Sequence, residues 1–220
     1  MIFFRAIFLA FCAACASVGA WAETEISFYF GNQTAPSSVV AVAGDRVIPR
    51  LLFSQKWQGA SLKGPIYGGA RITNWRTRQY GLGLDFAHNK VKPAAGARPP
   101  GFSALEFTDG LNTWTANVYY RWPEALGRAT PYVGAGAGLS IPGVEVRYAG
   151  SDTIGYQVAG PAVTWLGGVS YRLNDQWSLF TEYKGTFSSN RVRLNGGGTL
   201  SSDIVTPCGQ HRCQFQILSC

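Results

Sequence analysis

The chain has 220 residues, of which 46% are apolar, 14% are charged and 14% are aromatic, and it contains 27 glycines. Charged residues make up about a quarter of an average soluble domain, so this charge-poor, glycine-rich and aromatic-rich composition excludes a disordered chain, a coiled coil and a helical array. The formal net charge is +7, but the basic residues are dispersed singly, which argues against nucleic acid as a partner and fits a surface facing anionic lipid headgroups.

The first predicted element is a signal peptide over residues 1–22. Arg5 supplies a positive start, 6–18 supply the apolar stretch, and Ala20-Trp21-Ala22 is a small-x-small cleavage site. The alternative of a lipid-modified Cys15 lacks the Leu-like residue expected three positions earlier, and the apolar run is short for a retained membrane helix. We therefore expect an exported mature chain, 23–220, that keeps three cysteines near its end, an odd count that makes no disulfide framework.

The mature chain alternates apolar and polar residues with a period of two, which predicts strands with two different faces. The outward apolar set of the last clear strand, 177–188, includes Trp177, Leu179, Tyr183 and Phe187. The full set of predicted strands is one near Ile26–Phe30, then 66–76, 80–86, 113–122, 133–141, 163–173 and 177–188, and an eighth within 199–218.

The connections between these strands alternate in length. Short links occur at 77–79, 123–131 and 174–176, and longer ones at about 33–65, 88–104, 149–155 and 188–199. Outer-membrane barrels have short periplasmic turns and long external loops. The pattern predicts an all-β, eight-stranded antiparallel up-and-down transmembrane β-barrel in the outer membrane, which we expect to be a monomer.

A soluble barrel of the lipocalin type also has many alternating strands, so the polarity of the two faces has to decide. The non-apolar face here is mostly Gly, Ser and Thr with isolated charges, which suits a narrow polar lumen better than a hydrophobic core. We expect a polar lumen network in which the basic residues pair with Asp85 and Glu182; its members are Arg71, Asp85, Asn117, Arg121, Arg172, Glu182 and Lys184. Trp75, Trp122, Tyr171 and Trp177 are expected to form an aromatic girdle beside the periplasmic turns, and eight strands leave no room for free conduction.

Two glycine-rich stretches have a structural interpretation. Gly134, Gly136 and Gly138 alternate within a strand, so they are expected to clear space in the lumen rather than to bind a nucleotide. The triplet at 196–198 is expected to be a flexible external loop.

Acid–base chemistry is limited because the chain has two histidines, His88 and His211. His88 follows Asp85 by three residues, and an odd spacing puts the two side chains on opposite faces of a strand, so the pair makes no metal clamp. At the outer mouth His88 is a candidate general base; the alternative is a solvated loop residue.

The segment 105–114 changes its apolar phase from odd at Leu105 and Phe107 to even at Trp114. This change requires an irregularity near Asp109 and Gly110, and bulges are common beside active sites. Glu106, Asp109 and Asn112 are therefore candidate site residues at the outer end of the barrel, together with Asp85 and His88. The alternative is a charged rim or an external divalent-ion site.

Four stretches carry a resemblance to a known family: 27–38 (SFYFGNQTAPSS), 104–123, 130–146 and 160–188. They resemble the OmpA-like outer-membrane β-barrels described as lipid A oxidase-like, over most of residues 24–205. The resemblance implies an outer-membrane enzyme that uses dioxygen to oxidise the proximal glucosamine of lipid A to an aminogluconate unit. It supplies no catalytic motif that maps onto particular residues of this chain.

Two hypotheses follow, with lipid A or lipopolysaccharide as the partner in the first. In that hypothesis the chain is a lipid A oxidase with rim residues of 105–112 in the site and dioxygen as co-substrate. A divalent metal is compatible with carboxylate and Asn oxygens, but one usable histidine cannot build a two-His-one-carboxylate set, and no metal ligands are assigned. In the second hypothesis the chain is a non-enzymatic structural or adhesive barrel, and a pore is disfavoured by the strand number.

The end of the chain departs from the family pattern, which closes on an aromatic residue. Residues 199–220 form an atypical closing strand that contains Pro207, which lacks a ladder donor. A truncated closing strand and a shifted reading frame explain the cysteine-rich tail equally well. If the tail cannot pair with the first strand, we expect two open edges in lipid and poor assembly.

Overall fold

The computed structural model describes residues 23–59, 67–123 and 125–217, with 108, 109 and 209–217 described by their backbone alone. The predicted signal peptide lies outside these residues. Among the described residues, no helix is long and apolar enough to cross a membrane. Twelve strands form: β1 (Glu23–Gln33), β2 (Ser38–Ala43), β3 (Leu51–Gln55), β4 (Trp57–Gly59), β5 (Gly68–Trp75), β6 (Tyr80–Pro93), β7 (Phe102–Arg121), β8 (Ala129–Tyr148), β9 (Ser151–Tyr156), β10 (Gly160–Arg172), β11 (Trp177–Arg193) and β12 (Thr199–Ile217).

Eight of these strands close into a ring. The order is β1, β5, β6, β7, β8, β10, β11 and β12, each antiparallel to the next, and β12 pairs back onto β1. A closed ring leaves no unpaired strand edge along the wall, which is the property a barrel needs in a bilayer. The predicted eight-stranded antiparallel barrel is therefore confirmed.

The other four strands extend the wall at one end. β2 pairs with Thr199–Ser202 of β12 and with β3, β4 pairs with the end of β6, and β9 pairs with Gly143–Tyr148 of β8. We call this the loop end, and the opposite end, with the links 76–79, 122–128 and 173–176, the turn end. The expectation of long loops at 33–65, 88–104 and 149–155 was wrong in part, because the chain keeps pairing beyond the eight-stranded section and leaves shorter connections.

The closing strand pairs with β1 as far as Ile217 and with β11 as far as Phe215. Thr24–Gln33 of β1 lie opposite Ile217–Cys208, and β11 pairs with β12 from Trp177 to Arg193. Pro207 stands opposite Gly185, and its carbonyl accepts a hydrogen bond from the backbone N–H of Thr34 at 3.1 Å. The open edges that the tail sequence suggested do not form between the described strands.

The outward face carries the apolar residues that the alternation predicted. The side chains of Phe28, Trp114, Tyr183 and Leu139 are all about half exposed, whereas the residues between them point inward. An outward band of exposed apolar side chains is the surface that outer-membrane barrels present to hydrocarbon.

The interior differs between the two ends of the barrel. Toward the turn end the inward side chains include the predicted polar residues Asp85, Glu182 and Lys184, together with a smaller buried cluster that is rich in aromatic residues. Toward the loop end they form a packed apolar cluster that the sequence analysis did not predict: Ala35, Val40, Val42, Ile48, Trp57, Val91, Phe102, Leu105, Phe107, Leu111, Val144, Val146, Ala159, Val192, Leu194, Leu200 and Ile204. The extra strands supply part of this cluster, so the loop-end half of the barrel contains a hydrophobic core.

The strand glycines 134, 136 and 138 make room for their neighbours, as predicted. A Cβ on Gly138 would contact the backbone carbonyl of Trp114, and one on Gly136 would contact the amide of Asn117. A side chain at either position would push β7 and β8 apart.

The triplet 196–198 is a tight turn rather than a flexible loop. The Asp45 carboxylate accepts backbone N–H groups from Val47 and Ile48, both at 2.9 Å, and from Gly198 at 3.3 Å. Lost hydration raises the pKa of Asp45, but these three donors outweigh it and hold the pKa below its usual value. A Cβ on Gly196 or Gly198 would collide with Asp45, so the glycines let the two connections dock.

Candidate functional site

A four-residue ion network lies at the centre of the lumen. The Arg71 guanidinium donates to Asp85 through Nε at 2.8 Å and to Glu182 through Nη1 at 2.9 Å and Nη2 at 3.2 Å. Lys184 Nζ is hydrogen-bonded to the other oxygen of Asp85. Two cations and two anions balance, and all four side chains are almost completely buried.

Aromatic residues complete this network. Tyr29 donates its hydroxyl to Asp85 at 2.7 Å, and Tyr132 donates to Glu182 at 2.9 Å. The Arg71 guanidinium lies 5.1 Å from the centroid of the Tyr119 ring. Buried charges need this degree of compensation, because desolvation costs several kcal/mol per ion. The network connects β5 and β6 with β11 across the lumen, and it holds Asp85 inside the barrel, away from the rim where the candidate chemistry was expected.

Arg121 and Arg172 do not join this network, contrary to the expected pairing. Arg121 is bidentate to Glu23, at 2.8 and 3.2 Å, and lies 4.0 Å above the Trp75 ring. Arg172 is exposed at the end of β10. Both line a cavity of about 240 Å³ at the turn end, too far along their strands to reach the central carboxylates.

Trp75 also differs from the expectation of an outward girdle residue. It is buried, and its indole N–H donates to Glu25 at 3.1 Å. Its side chain lies on the same inward face of β5 as Arg71 and Thr73. The apolar character of Trp75 alone did not indicate this face. The other three expected girdle residues, Trp122, Tyr171 and Trp177, are each more than 40% exposed at the turn end.

Asn117 is buried within the lumen wall. Its amide group donates to the carbonyl of Thr115 at 3.1 Å and to the Thr115 hydroxyl at 3.0 Å. Its Oδ1 has no hydrogen-bond partner among the described residues. It therefore belongs to the polar lining rather than to the ion network.

His88 and Asn112 form a pair within the barrel wall, where Asn112 is buried and His88 is half-buried. They stand directly opposite each other on β6 and β7, and His88 Nδ1 lies 2.7 Å from Asn112 Oδ1. Asp85 points inward and His88 outward, as the spacing predicted. His88 Nε2 is buried and has no hydrogen-bond partner among the described residues.

The predicted irregularity in 105–114 is present beside this pair. The register of β7 against β8 shifts between Glu106 and Leu111, and Gly110 has φ +91°. A Cβ at Gly110 would collide with the His88 imidazole. The bulge and its glycine thus make space for the ring.

Glu106 lies on the other side of the bulge. Its register partner on β8 is Glu145, whose carboxylate accepts a hydrogen bond from Arg147 Nε at 2.8 Å. The side chain of Asp109 lies outside the described part of the chain. Of the five candidate site residues, the structure brings together His88 and Asn112, and it separates Asp85 and Glu106 from them.

No group of three or more His, Cys, Asp or Glu side chains among the described residues is arranged to hold a metal ion. The divalent metal compatible with the sequence therefore has no fitting donor set there.

Several contacts inside the barrel were not predicted from the sequence. Tyr29 and Tyr132 complete the ion network, and Glu23 holds Arg121. For Tyr29 a signal existed, because it shares the inward phase of Ser27 between the outward Phe28 and Phe30. No local signal connects Glu23 with Arg121, since they are 98 positions apart.

Comparison with known proteins identifies the fold and no more. No family model matches the chain, and no curated protein matches it. Among solved structures it is similar to the outer membrane protein AlkL in lipid bilayers (14% identity, TM-score 0.51, 93% of this chain and 95% of that one). It is also similar to the outer membrane protein OprG of Pseudomonas aeruginosa (12%, TM-score 0.50, 90% and 95%) and to Neisserial surface protein A (17%, TM-score 0.39, 83% and 96%).

Proposed function

We propose that this barrel spans the outer membrane with its turn end in the periplasm and its loop end outside. The outward apolar band and the short turns support this orientation. Along β11, the outward residues from Trp177 to Phe187 are separated by ten residue steps. At about 3.4 Å per residue and a tilt of roughly 40°, this is about 26 Å across the bilayer, close to the band of about 25 Å in outer-membrane barrels.

Function then resides on the outer wall or the loops rather than in the lumen. The Arg71–Asp85–Glu182–Lys184 network crosses the turn-end half, and the apolar cluster packs within the loop-end half. These interior contacts, within the part of the chain that the structure describes, disfavour ion conduction.

The proposed activity is oxygen-dependent oxidation of the lipid A glucosamine, with the outward pair His88 and Asn112 as the site. One observation supports the proposal: among the described side chains of the candidate residues, His88 and Asn112 are in contact, at 2.7 Å. In the proposed orientation they lie near the level of the outer leaflet. Trp114 is the next outward residue below Asn112 on β7, so the pair stands at the outer edge of the apolar band. The choice of reaction rests on the sequence resemblance to the lipid A oxidase-like barrels.

Each of the two residues has a proposed role. With Asn112 Oδ1 as acceptor, His88 Nδ1 carries the proton, and Nε2, which is buried in this structure, is left as the base. This base would take the proton of the anomeric hydroxyl while the C–H hydrogen and its electron pair pass to dioxygen, which leaves as hydrogen peroxide; water then opens the resulting lactone, so that the sugar gains one oxygen. Electron transfer to dioxygen usually calls for a metal or an organic cofactor, and the described donor set does not fit a metal.

The test is lipid A composition in a host that lacks the oxidised sugar. Cells expressing the barrel in air should contain lipid A that has gained one oxygen, measured by mass spectrometry. His88→Gln and Asn112→Leu should abolish this gain, whereas Arg98→Gln, a change in an exposed loop, should not. Unchanged lipid A from a demonstrably folded barrel would contradict the proposed activity.

The second candidate is a non-enzymatic structural or adhesive barrel. It is favoured by the filled interior, in which both the ion network and the apolar cluster serve stability. Under this candidate, replacing His88, Glu106 or Asp109 alters no lipid, and the same mass spectra discriminate the two.

A further inference from the structure

The outward face of β11 changes character above the apolar band. Phe187 is the last large apolar residue on this face, and the next outward positions are Ser189, Arg191 and Arg193. Both arginines are exposed, while Asn190 and Val192, which alternate with them, are buried. Two guanidinium groups therefore stand one above the other on one strand.

These arginines lie at the height of lipid headgroups. Arg191 is four residues beyond Phe187, and Arg193 is six. At about 3.4 Å per residue and a tilt of roughly 40°, their Cα atoms lie about 10 and 16 Å beyond the edge of the hydrocarbon. Because an arginine side chain can fold back toward the interface, both groups can reach the phosphate level.

The backbone that carries them is held rigidly. Arg191 N–H donates to the carbonyl of Ala159 at 2.9 Å, and Arg193 N–H donates to Gln157 Oε1 at 2.9 Å. Gln157 Nε2 donates back to the Arg193 carbonyl at 2.9 Å. The connection after β9 thus fixes the position of this strand end.

The two guanidinium groups have no ion-pair partner among the described residues. Asp203 lies on the same face but pairs in register with Ser189, two residues closer to the apolar band than Arg191. Asp45 is occupied by three backbone N–H groups. The register partners of Arg191 and Arg193 are Ser201 and Thr199, both outward-facing.

We propose that Arg191 and Arg193, with the hydroxyls of Ser201 and Thr199 beside them, form a binding site for the phosphate of an outer-leaflet phosphoglycolipid. Arginine forks match phosphate oxygens in a bidentate manner, and neighbouring hydroxyls supply further donors. The charge is complementary, and the site stands directly above a lipid-facing band.

This site is separate from the His88–Asn112 pair. In the ring, β6 and β7 are divided from β11 by β8 and β10, so the two sites lie on nearly opposite walls. The inference rests on the proposed membrane placement but not on the oxidation chemistry. A barrel that leaves lipid A unoxidised can still bind it here.

The test measures lipid retained by the purified full-length barrel. Native mass spectrometry after detergent extraction should detect bound bisphosphorylated lipid A, and much less bound lipid A from which both phosphates have been removed. The double variant R191Q/R193Q should weaken binding about 30-fold, which corresponds to about 2 kcal/mol at about 1 kcal/mol per basic residue.

The matched control is R98Q/R147Q, which removes two positive charges elsewhere at the loop end and should retain nearly wild-type binding. Heat-modifiable gel migration establishes that each variant is folded. The inference is overturned if R191Q/R193Q binds like the wild type, if the control loses as much, or if dephosphorylated lipid A binds equally. It is also overturned if inorganic phosphate displaces the lipid, because the site would then be one for free phosphate.

Discussion

The Arg71→Met variant tests whether the lumen network is a neutral, fully compensated unit. In the wild type Arg71 and Lys184 face Asp85 and Glu182, two charges of each sign. Arg71→Met leaves Asp85 with Lys184 and with the Tyr29 hydroxyl. Glu182 keeps the hydroxyl of Tyr132 but loses both of its guanidinium contacts.

The expected magnitude follows from that imbalance. Breaking a buried ion pair by removing one partner costs about 3–5 kcal/mol, because the remaining charge is uncompensated. The double variant R71M/E182Q restores charge balance, since Lys184 and Asp85 still pair. We expect it to be destabilised by only about 1 kcal/mol, the size of a single hydrogen bond.

The assay is urea unfolding in phospholipid vesicles, followed by tryptophan fluorescence and by gel migration of unheated samples. The free energy of unfolding should fall in the order wild type, double variant, Arg71→Met. The single variant E182Q completes the comparison. If the stability losses of R71M and E182Q simply add in R71M/E182Q, then Arg71 and Glu182 are not energetically coupled, and the reasoning about the network is wrong.

Three further changes probe other parts of the barrel. Because backbone donors lower the pKa of Asp45, its carboxylate stabilises the folded state above the unfolded pKa of about 3.9. This stabilisation is lost as pH falls through the folded pKa. Asp45→Asn should therefore unfold at a lower urea concentration than the wild type at pH 7 but at the same concentration near about pH 2. Gly110→Ala should cost more stability than Gly127→Ala, since both glycines have positive φ but a Cβ at Gly110 meets the His88 ring and one at Gly127 meets nothing; equal losses in urea melts would refute the collision. Deleting 209–220 should remove the compact unheated gel band, because β1 loses its β12 partner, and a normal band would show that another closure exists.

The strand assignments could be predicted because alternation is a local property. A barrel strand meets lipid on one side and the interior on the other, so residues such as Trp114 and Thr115 reveal their faces without knowledge of any partner. The same logic placed Asp85 inward and His88 outward. It failed at Trp75, since an aromatic residue is compatible with both a lipid-facing belt and a stack over Arg121.

The candidate site could be predicted only in part. The phase change in 105–114 required a bulge, and the bulge is present, but which side chains it brings together depends on the strand beside it. His88 meets Asn112 because β6 and β7 align them. Glu106 instead faces Glu145 of β8, which no spacing within the segment could indicate.

The sequence by itself determined the class of fold, the outward band and the identity of the inward polar residues, because a period of two needs no information beyond neighbouring positions. Only the tertiary structure decided the partners. Arg71 meets Glu182 across 111 positions, and Tyr29 meets Asp85 across 56. Such pairs depend on the register and closure of the ring, and so does the apolar filling of the loop end, which forms when short strands far apart in the chain turn their inward faces toward one another.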